Sequence, residues 1–460
     1  MRRRAGHSDS RRPMRTLYDI LLTVALILNA PFYLLKLWRR GNWKQGFRQR
    51  FGRFNSKVKQ SITNRHVMWI HAVSVGEVNL VIRLIEEIER RLPNLKLVVS
   101  TTTTTGMGEL RKRVPGRIEK IYYPIDRRKW VQRSLGTIHP EAIVLVEAEI
   151  WPNFLWRAQQ MGVPTFLVNA RISDRSCRGY RRLGRLFRGL FGGFSRVCCA
   201  TEADARRLRE IGCRDDAVRV VGNLKYDTAV AGGKALDTRA VLRELGVPDD
   251  APVLLGGSTH DGEEVVLADT WLKLRDQFPK LFLILVPRHH ERARDAGREV
   301  RARGLRVAYR TDMDRGRIPE AGTTDCLMVN TTGELKAFYE IATVVFVGKS
   351  LTAHGGQNPI EPAALGKAVV FGPNMENFPA IVPEFLAEQA VRQVGSADEL
   401  AKTIRELLAD DRERDALGSR ARAIVERNLG SIARTVDVIA ERLKDEQIYV
   451  AETKDPASGS

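Results

Sequence analysis

The segment HAVSVGE, His71 to Glu77, places a carboxylate just after an apolar run and just before a stretch with helical spacing. Open α/β sheets bind ligands at such strand-to-helix turns. A carboxylate there can take a proton from a sugar hydroxyl, and Gly76 lets a substrate approach the backbone. An acid in a first helical turn also complements the helix dipole, so residue type alone leaves both readings open. In the second half, PRHHER (Pro287 to Arg292) ends one apolar run and opens a helix, where Arg288 can offer a planar fork to phosphate; a solvated basic helix start looks the same. TTGEL (Thr331 to Leu335) sets a glycine and free amides at another helix start, a seat for phosphate, although Thr331 and Glu334 also have capping-box spacing. GGQNPIEPA (Gly355 to Ala363) carries Glu361, a carboxylate suited to both ribose hydroxyls and equally to an ordinary helix start. Three such signals in one half without a metal motif point to a nucleotide-activated donor.

These segments need strands to end on and helices to begin. Strands are expected at 67–73, 95–100, 142–146, 165–169, 197–200 and 218–221, and again at 253–255, 281–286, 306–309, 326–329, 344–347 and 368–371. Between the first two, Val81, Leu84, Ile85, Ile88 and Leu92 recur at helical spacing, as in a crossover helix on a parallel sheet. Residues 226–237 (YDTAVAGGKALD) read as a linker, and 398–443 as wholly helical. Two βαβ halves of similar size imply an α/β protein of two facing Rossmann-like domains with a cleft between them. The expected divisions are a basic N-terminus with an apolar helix (1–41), an N-terminal domain (42–225), a linker (226–250), a C-terminal domain (251–445) and a polar tail (446–460).

The chain has 460 residues, 43% hydrophobic and 28% charged, too mixed for a disordered or collagen-like chain and ample for two cores. Its formal charge of +20 calls for an anionic partner: nucleic acid, an acidic bilayer, or a phosphorylated or carboxylated substrate. The five cysteines form no C-x-x-C pair, and no zinc or calcium motif appears, so neither a disulfide framework nor a caged metal is expected. Gly106 and Gly108 begin a dinucleotide fingerprint whose third glycine position holds Arg111; Gly348-Lys349-Ser350 ends a P-loop whose first glycine position holds Thr343. A dehydrogenase and a P-loop NTPase thereby lose their support. After six arginines in residues 1–16, Ile20 to Leu35 is uncharged and basic residues close it, the pattern of an uncleaved anchor slightly shorter than a bilayer span, either a single span or a tilted helix; a signal peptide has the same outline but no small-residue cleavage pattern follows, and a buried core helix is the other reading.

Taken together, the segments HAVSVGE (71–77), STTTTTG (100–106), YYPID (122–126), VEAEIWPN (146–153), VNARIS (168–173), GNLKYD (222–227), GGSTHDGEE (256–264), VPRHHER (286–292), NTTGEL (330–335) and GGQNPIEPAALGK (355–367) resemble those of the 3-deoxy-D-manno-octulosonic acid (Kdo) transferases, lipid A glycosyltransferases of GT-B fold, over nearly the whole chain. By that resemblance Glu77 matches the catalytic base, and Glu147 and Lys225 match positions that stabilise the transition state. Pro287 and Arg288, then Thr332, Gly333 and Glu334, then Asn358, Pro359, Ile360 and Glu361 match the segments that hold the CMP part of the donor. The chain departs from the family's usual residues at Asn330 (Asp), Thr332 (Met), Gln357 (His) and Ala148 (Thr).

The resemblance implies a metal-free and cofactor-free inverting transfer of Kdo from CMP-Kdo to a hydroxyl of a lipid A precursor of the lipid IVA type, in lipopolysaccharide core biosynthesis. CMP leaves as a phosphate that needs charge stabilisation and no proton. The expected partners are CMP-Kdo, the lipid A precursor and anionic inner-membrane lipids, at the cytoplasmic face of the inner membrane; nucleic acid is not among them. A GT-B enzyme using another nucleotide sugar, a sugar-nucleotide epimerase, and a membrane-tethered nucleic-acid-binding protein are the alternatives. The last has only charge in its favour, since no aromatic-basic RNA-binding signature is present.

Overall fold

Short runs rich in Val, Ile and Leu that are buried on both faces build two parallel sheets. The computed structural model describes residues 12–39, 46–73, 75–147, 149–182, 184–230, 232 and 236–445. Ser74, Ala148, Leu183, residues 1–11 and 40–45, the tail 446–460 and most of the 231–235 stretch lie outside them.

The chain divides into two compact units, one running to Leu224 and resuming at Gly430, the other Lys225–Leu429. The first holds strands β1 (Val67–His71), β2 (Lys96–Thr101), β3 (Glu119–Tyr122), β4 (Ala142–Val146), β5 (Thr165–Ala170), β6 (Arg196–Cys199) and β7 (Val218–Val220). Its helices are α1 (Arg12–Arg39), α2 (Ser56–Ile62), α3 (Val75–Arg91), α4 (Thr104–Arg113), α5 (Arg128–Ile138), α6 (Pro152–Met161), α7 (Asp174–Arg182), α8 (Gly184–Phe191) and α9 (Glu202–Glu210). The sheet order β3-β2-β1-β4-β5-β6-β7 reverses direction between β1 and β4, the topological switch point where such sheets take ligands. Pleating sends Trp69, Ile143 and Leu167 to one face, against α5, α6, α7, α8 and α9, and Met68, Ile70 and Val144 to the other, against α3 and α4.

The second unit contains α10 (Leu224–Val230, which begins one residue earlier), α11 (Thr238–Glu244), β8 (Val253–Thr259), α12 (Glu263–Leu274), β9 (Phe282–Pro287), α13 (Ala293–Ala302), β10 (Val307–Tyr309), α14 (Arg310–Met313), β11 (Cys326–Met328) and α15 (Leu335–Ile341). There follow β12 (Val344–Val347), α16 (Ile360–Ala364), β13 (Ala368–Phe371), α17 (Val382–Ala387), β14 (Arg392–Gln393), α18 (Ala397–Ala409) and α19 (Asp411–Asn428). Its sheet, β10-β11-β9-β8-β12-β13-β14, is again parallel, with a switch point between β8 and β12. Phe346 and Phe371 of this sheet and Phe385 of α17 are fully buried, each contributing about 1.5–3 kcal/mol by leaving water.

Three expectations are corrected here. All twelve expected strands form, but β3 and β14 are additional: both are edge strands with half-exposed residues, so neither makes an apolar run. The segment 226–250 is not a linker. Tyr226, Ala229, Val241, Leu242, Leu245 and Val247 lie in the core of the second unit, and the Tyr226 hydroxyl donates to Glu384 at 2.9 Å. The C-terminal domain does not run to 445 either. Helix α20 (Ser431–Asp445) returns to the first unit, where Ile432, Val436, Ile439 and Leu443 pack with Leu84 and Ile88 of α3. At that return Gly222 has a φ of 94°, and a Cβ there would fall 2.3 Å from the Ser431 hydroxyl, so only glycine fits.

Helix α1 is the one helix among the described residues long and apolar enough to cross a membrane, with a mean hydropathy of 1.3 over Arg15–Phe32. Its outer stripe, Leu17, Ile20, Leu21, Val24, Ile27, Leu28 and Phe32, is at least half exposed. The opposite face is docked. Tyr18 donates to Asp126 at 2.9 Å, Asp19 accepts from Asn153 at 2.8 Å, and Tyr18 meets Trp156 edge-on.

Candidate active site

In the first unit the strand ends at the switch point carry the acids. Glu77 sits in the first turn of α3, buried, and its Oε2 accepts the Val73 N–H at 2.8 Å, which closes the turn between β1 and the helix. The Val73 carbonyl is in turn held by the hydroxyls of Thr101 and Thr103, at 3.1 and 3.0 Å. Those threonines approach Gly106 so closely that a Cβ there would lie 2.6 Å from the Thr101 oxygen. The STTTTTG segment is thus the support for the loop that carries Glu77. Behind it, His71 is fully buried, bonded through Nδ1 to the Ser100 hydroxyl at 2.9 Å and stacked on Tyr123 at 3.8 Å. Burial pushes its imidazole down to about 3, so it is neutral.

Glu147 directly follows β4 with a φ of 61°, a costly conformation for a residue with a Cβ. Asn169, at the end of β5 with a φ of 50°, donates to the Glu147 carboxylate at 3.4 Å and accepts the Leu224 N–H at 3.3 Å. Ser258 on β8 and Lys349 after β12 are left-handed too. Four of the seven left-handed non-glycine residues among the described residues thus lie at the carboxyl ends of sheet strands, where such sheets take ligands.

Two residues emerge that sequence reasoning did not single out. Asn169 bridges Glu147 and the chain leading to Lys225. Glu149 accepts from the Trp151 indole at 2.8 Å, and its carboxyl is pushed up to about 7 by burial, with Glu77 and Glu147 reinforcing and the indole opposing. Both lie inside motifs already quoted, but only the fold shows what they touch. Asp126 of YYPID is likewise structural: it caps α6 by accepting the N–H groups of Asn153 and Phe154 at 3.0 and 2.8 Å, and burial pushes it up to about 7.

The second unit collects the donor-side residues and Lys225, whose ammonium lies 5.3 Å from the Phe378 ring centroid. Arg288 is exposed just past β9, while Pro287 is buried as its last residue. Glu361 is part-buried in the first turn of α16 and accepts from Asn358 at 3.0 Å; Asn358 also accepts the Ile360 N–H at 3.1 Å. Burial raises the Glu361 carboxyl, against the pull of Asn358, Lys336 and Arg288. Arg288 and Glu361 thus share one electrostatic neighbourhood. Pro359 and Ile360 are buried beneath. Thr332 and Gly333 are exposed, whereas Glu334 turns inward to the Thr331 hydroxyl at 2.8 Å and the Arg310 guanidinium at 3.3 Å.

The amides after β12 are already occupied. Glu263, fully buried, accepts the N–H groups of Lys349, Ser350 and Leu351 at 2.7–3.0 Å, and that of His260 at 2.8 Å. The P-loop-like Gly348-Lys349-Ser350 therefore has a protein carboxylate where a P-loop would hold phosphate. Among the departures, Asn330 binds the N–H and the hydroxyl of Thr311 at 2.9 and 2.7 Å. An aspartate there would accept from both, so the exchange preserves the contact. Gln357 uses its backbone N–H on the Gly348 carbonyl at 3.1 Å; Ala148 lies outside the described residues.

A family model described as 3-Deoxy-D-manno-octulosonic-acid transferase (kdotransferase) matches residues 45–228, and one described as Glycosyl transferases group 1 matches residues 323–424. A 3-deoxy-D-manno-octulosonic acid transferase of Bordetella pertussis is 32% identical over 92% of this chain and 98% of its own. One of Haemophilus influenzae is 27% identical over 94% and 99%. Among solved structures, a UDP-GlcNAc 2-epimerase from Neisseria meningitidis bound to UDP-GlcNAc has a TM-score of 0.56 at 12% identity, over 82% of this chain and 99% of its own. A glycosyltransferase from Rickettsia africae has a TM-score of 0.54 at 13% identity, over 83% and 100%. Likeness at that level of identity speaks for the fold, the GT-B pair of Rossmann-like domains.

Proposed function

The chain belongs to the 3-deoxy-D-manno-octulosonic acid (Kdo) transferase family, and on that premise we propose that it moves Kdo from CMP-Kdo to a hydroxyl of a lipid A precursor of the lipid IVA type, inverting the anomeric centre. It is a glycosyltransferase; donor, acceptor and stereochemistry are the reading added here. The observation that carries it is Glu77, a buried carboxylate fixed at the carboxyl end of β1 beside the switch point, where a general base for an incoming hydroxyl belongs.

In this reading the glucosamine hydroxyl of the acceptor gives its proton to Glu77 as the oxygen attacks C2 of Kdo. The bond from C2 to the CMP phosphate breaks as the new one forms, so a single displacement inverts the centre. CMP departs as an anion, and Arg288 with the Thr332–Glu334 turn supplies the charge complement. Glu361, held by Asn358, accepts from the ribose hydroxyls, and Glu147 and Lys225 steady the charge that develops at the reacting sugar. Helix α1 holds the enzyme at the cytoplasmic face of the inner membrane, where a lipid acceptor lies; its exposed apolar stripe supports attachment to a bilayer.

A donor titration tests the reading. CMP-Kdo should bind the purified protein and CMP should compete with it, while UDP-GlcNAc should do neither at comparable concentration. Preference for a uridine nucleotide would assign the site to another nucleotide sugar.

A further inference from the structure

Helices α7 and α8 carry a second feature that the proposed reaction leaves unused. In α7, Arg175, Arg178 and Arg182 fall within one narrow sector of the helix, while Cys177 and Tyr180 point to the opposite side, into the core. Helix α8 repeats the pattern, with Arg188 outward and Leu190 and Phe191 inward. All four arginines are exposed, and none has an acidic partner within ion-pair distance among the described residues; the neighbouring Arg181 pairs with Glu210 at 3.4 Å. Exposed guanidinium groups clustered without counter-charges repel one another, and a surface keeps them most readily when something anionic covers them.

Their position says what covers them. α7 and α8 pack on the same face of the first sheet as α6, and Gln159 of α6 donates to the Leu190 carbonyl of α8 at 3.0 Å. The same helix carries α1: Trp156 receives the Tyr18 ring and the Arg15 guanidinium. α1, through Tyr18, and α7 and α8 therefore pack in one helical layer with α6 over a single face of the first sheet, and the apolar stripe and the arginine ridge are the exposed sides of that layer. An apolar strip that seeks acyl chains, beside a basic strip that seeks phosphate, is the pattern of a surface that lies on an anionic bilayer.

We propose that the α7–α8 arginines are a second membrane contact, docking this face of the first unit on anionic lipid headgroups while α1 inserts. The proposal rests on the membrane reading of α1 and deepens it. A lone helix lying in the interface binds a bilayer reversibly, and a second, electrostatic signal makes the attachment firm and fixes which face of the protein meets the lipid.

The test uses the full chain in flotation with neutral phosphatidylcholine vesicles and with vesicles that also carry phosphatidylglycerol, at low and high salt. The unaltered protein should bind both, with roughly tenfold to a hundredfold preference for the anionic vesicles at low salt that fades at high salt. Joint replacement Arg175→Glu, Arg178→Glu and Arg182→Glu should abolish that preference and leave binding to neutral vesicles unchanged. An equal charge reversal on exposed residues of the second unit, Lys402→Glu, Arg405→Glu and Arg412→Glu, should retain most of it. If both triple variants lose the preference alike, net charge and not the ridge is responsible, and the proposal fails. Equal binding of the unaltered protein to both vesicle types also overturns it, with the membrane reading intact. Failure to bind either type overturns the membrane reading itself. The α7 variant should keep its activity on detergent-dispersed acceptor within about twofold; a loss there with the fold intact would mean that the arginines grip the acceptor's own phosphates instead of the bilayer.

Discussion

Replacing Glu149 by glutamine should make the protein more stable at alkaline pH and leave it unchanged in acid. In the unfolded chain this carboxyl ionises near its ordinary value of 4.5; in the folded protein burial, helped by Glu77 and Glu147, pushes it up to about 7. Between those values the folded state holds the extra proton, so stability falls as pH rises through the interval and stays lower above it. The interval corresponds to ~3 kcal/mol at about 1.36 kcal/mol per unit, and solvent reaching a part-exposed carboxyl reduces this to ~1–2 kcal/mol. A glutamine side chain would still accept from the Trp151 indole, now 2.8 Å from Glu149, but has no charge to bury. Calorimetry at pH 8 should show the transition of the first unit raised by roughly 2–8 °C in Glu149→Gln, with no difference near pH 4.5. A variant less stable at pH 8, or a gain independent of pH, would refute the claim that this carboxylate is ionised at a cost.

Glu77→Gln keeps an oxygen for the Val73 N–H, so the helix start should survive while turnover falls by roughly 10² or more and CMP-Kdo affinity stays within a few-fold; near wild-type turnover would remove Glu77 as the base. Arg288→Ala should weaken CMP-Kdo binding by roughly 10- to 100-fold in a titration, the worth of a charge-assisted phosphate contact. Activity measured after dialysis against EDTA should persist, since the proposed charge stabilisers are side chains; loss restored by Mg²⁺ would contradict that. Removal of residues 1–41 takes Tyr18 and Asp19 from their partners but leaves Asp126 its two amide donors, so the remainder should fold, with a lower melting temperature, and still bind CMP-Kdo.

What could be read from the sequence follows burial. Central parallel strands are buried on both faces and show as unbroken apolar runs, so β1, β4, β8, β9 and β12 were legible, and with them the places of Glu77 and Arg288 just past strand ends and of Glu361 in a helix start. Edge strand β3, with Glu119 and Lys120 half-exposed, gave no such run. The stretch 226–237 looked like a linker because its glycines and polar residues dilute the core contacts that its described residues make, Tyr226, Ala229 and the part-buried Leu236. Helix α20 was legible as a helix, but periodicity shows which face is apolar and never which sheet receives it. The same holds for Asp126: its partners Tyr18 and Asn153 are 108 and 27 residues away. The left-handed conformation of Glu147 had no signal at all, since glycine and asparagine are the residues that announce it and Glu147 is neither.

The most direct test of the account is mass spectrometry of the lipid formed when the purified protein is given CMP-Kdo and lipid IVA. The account predicts CMP released in step with a lipid product heavier by one or more whole Kdo residues, each in the linkage opposite in configuration to the donor. Release of CMP with only free Kdo, no consumption of CMP-Kdo, or retention of the donor's configuration would contradict it.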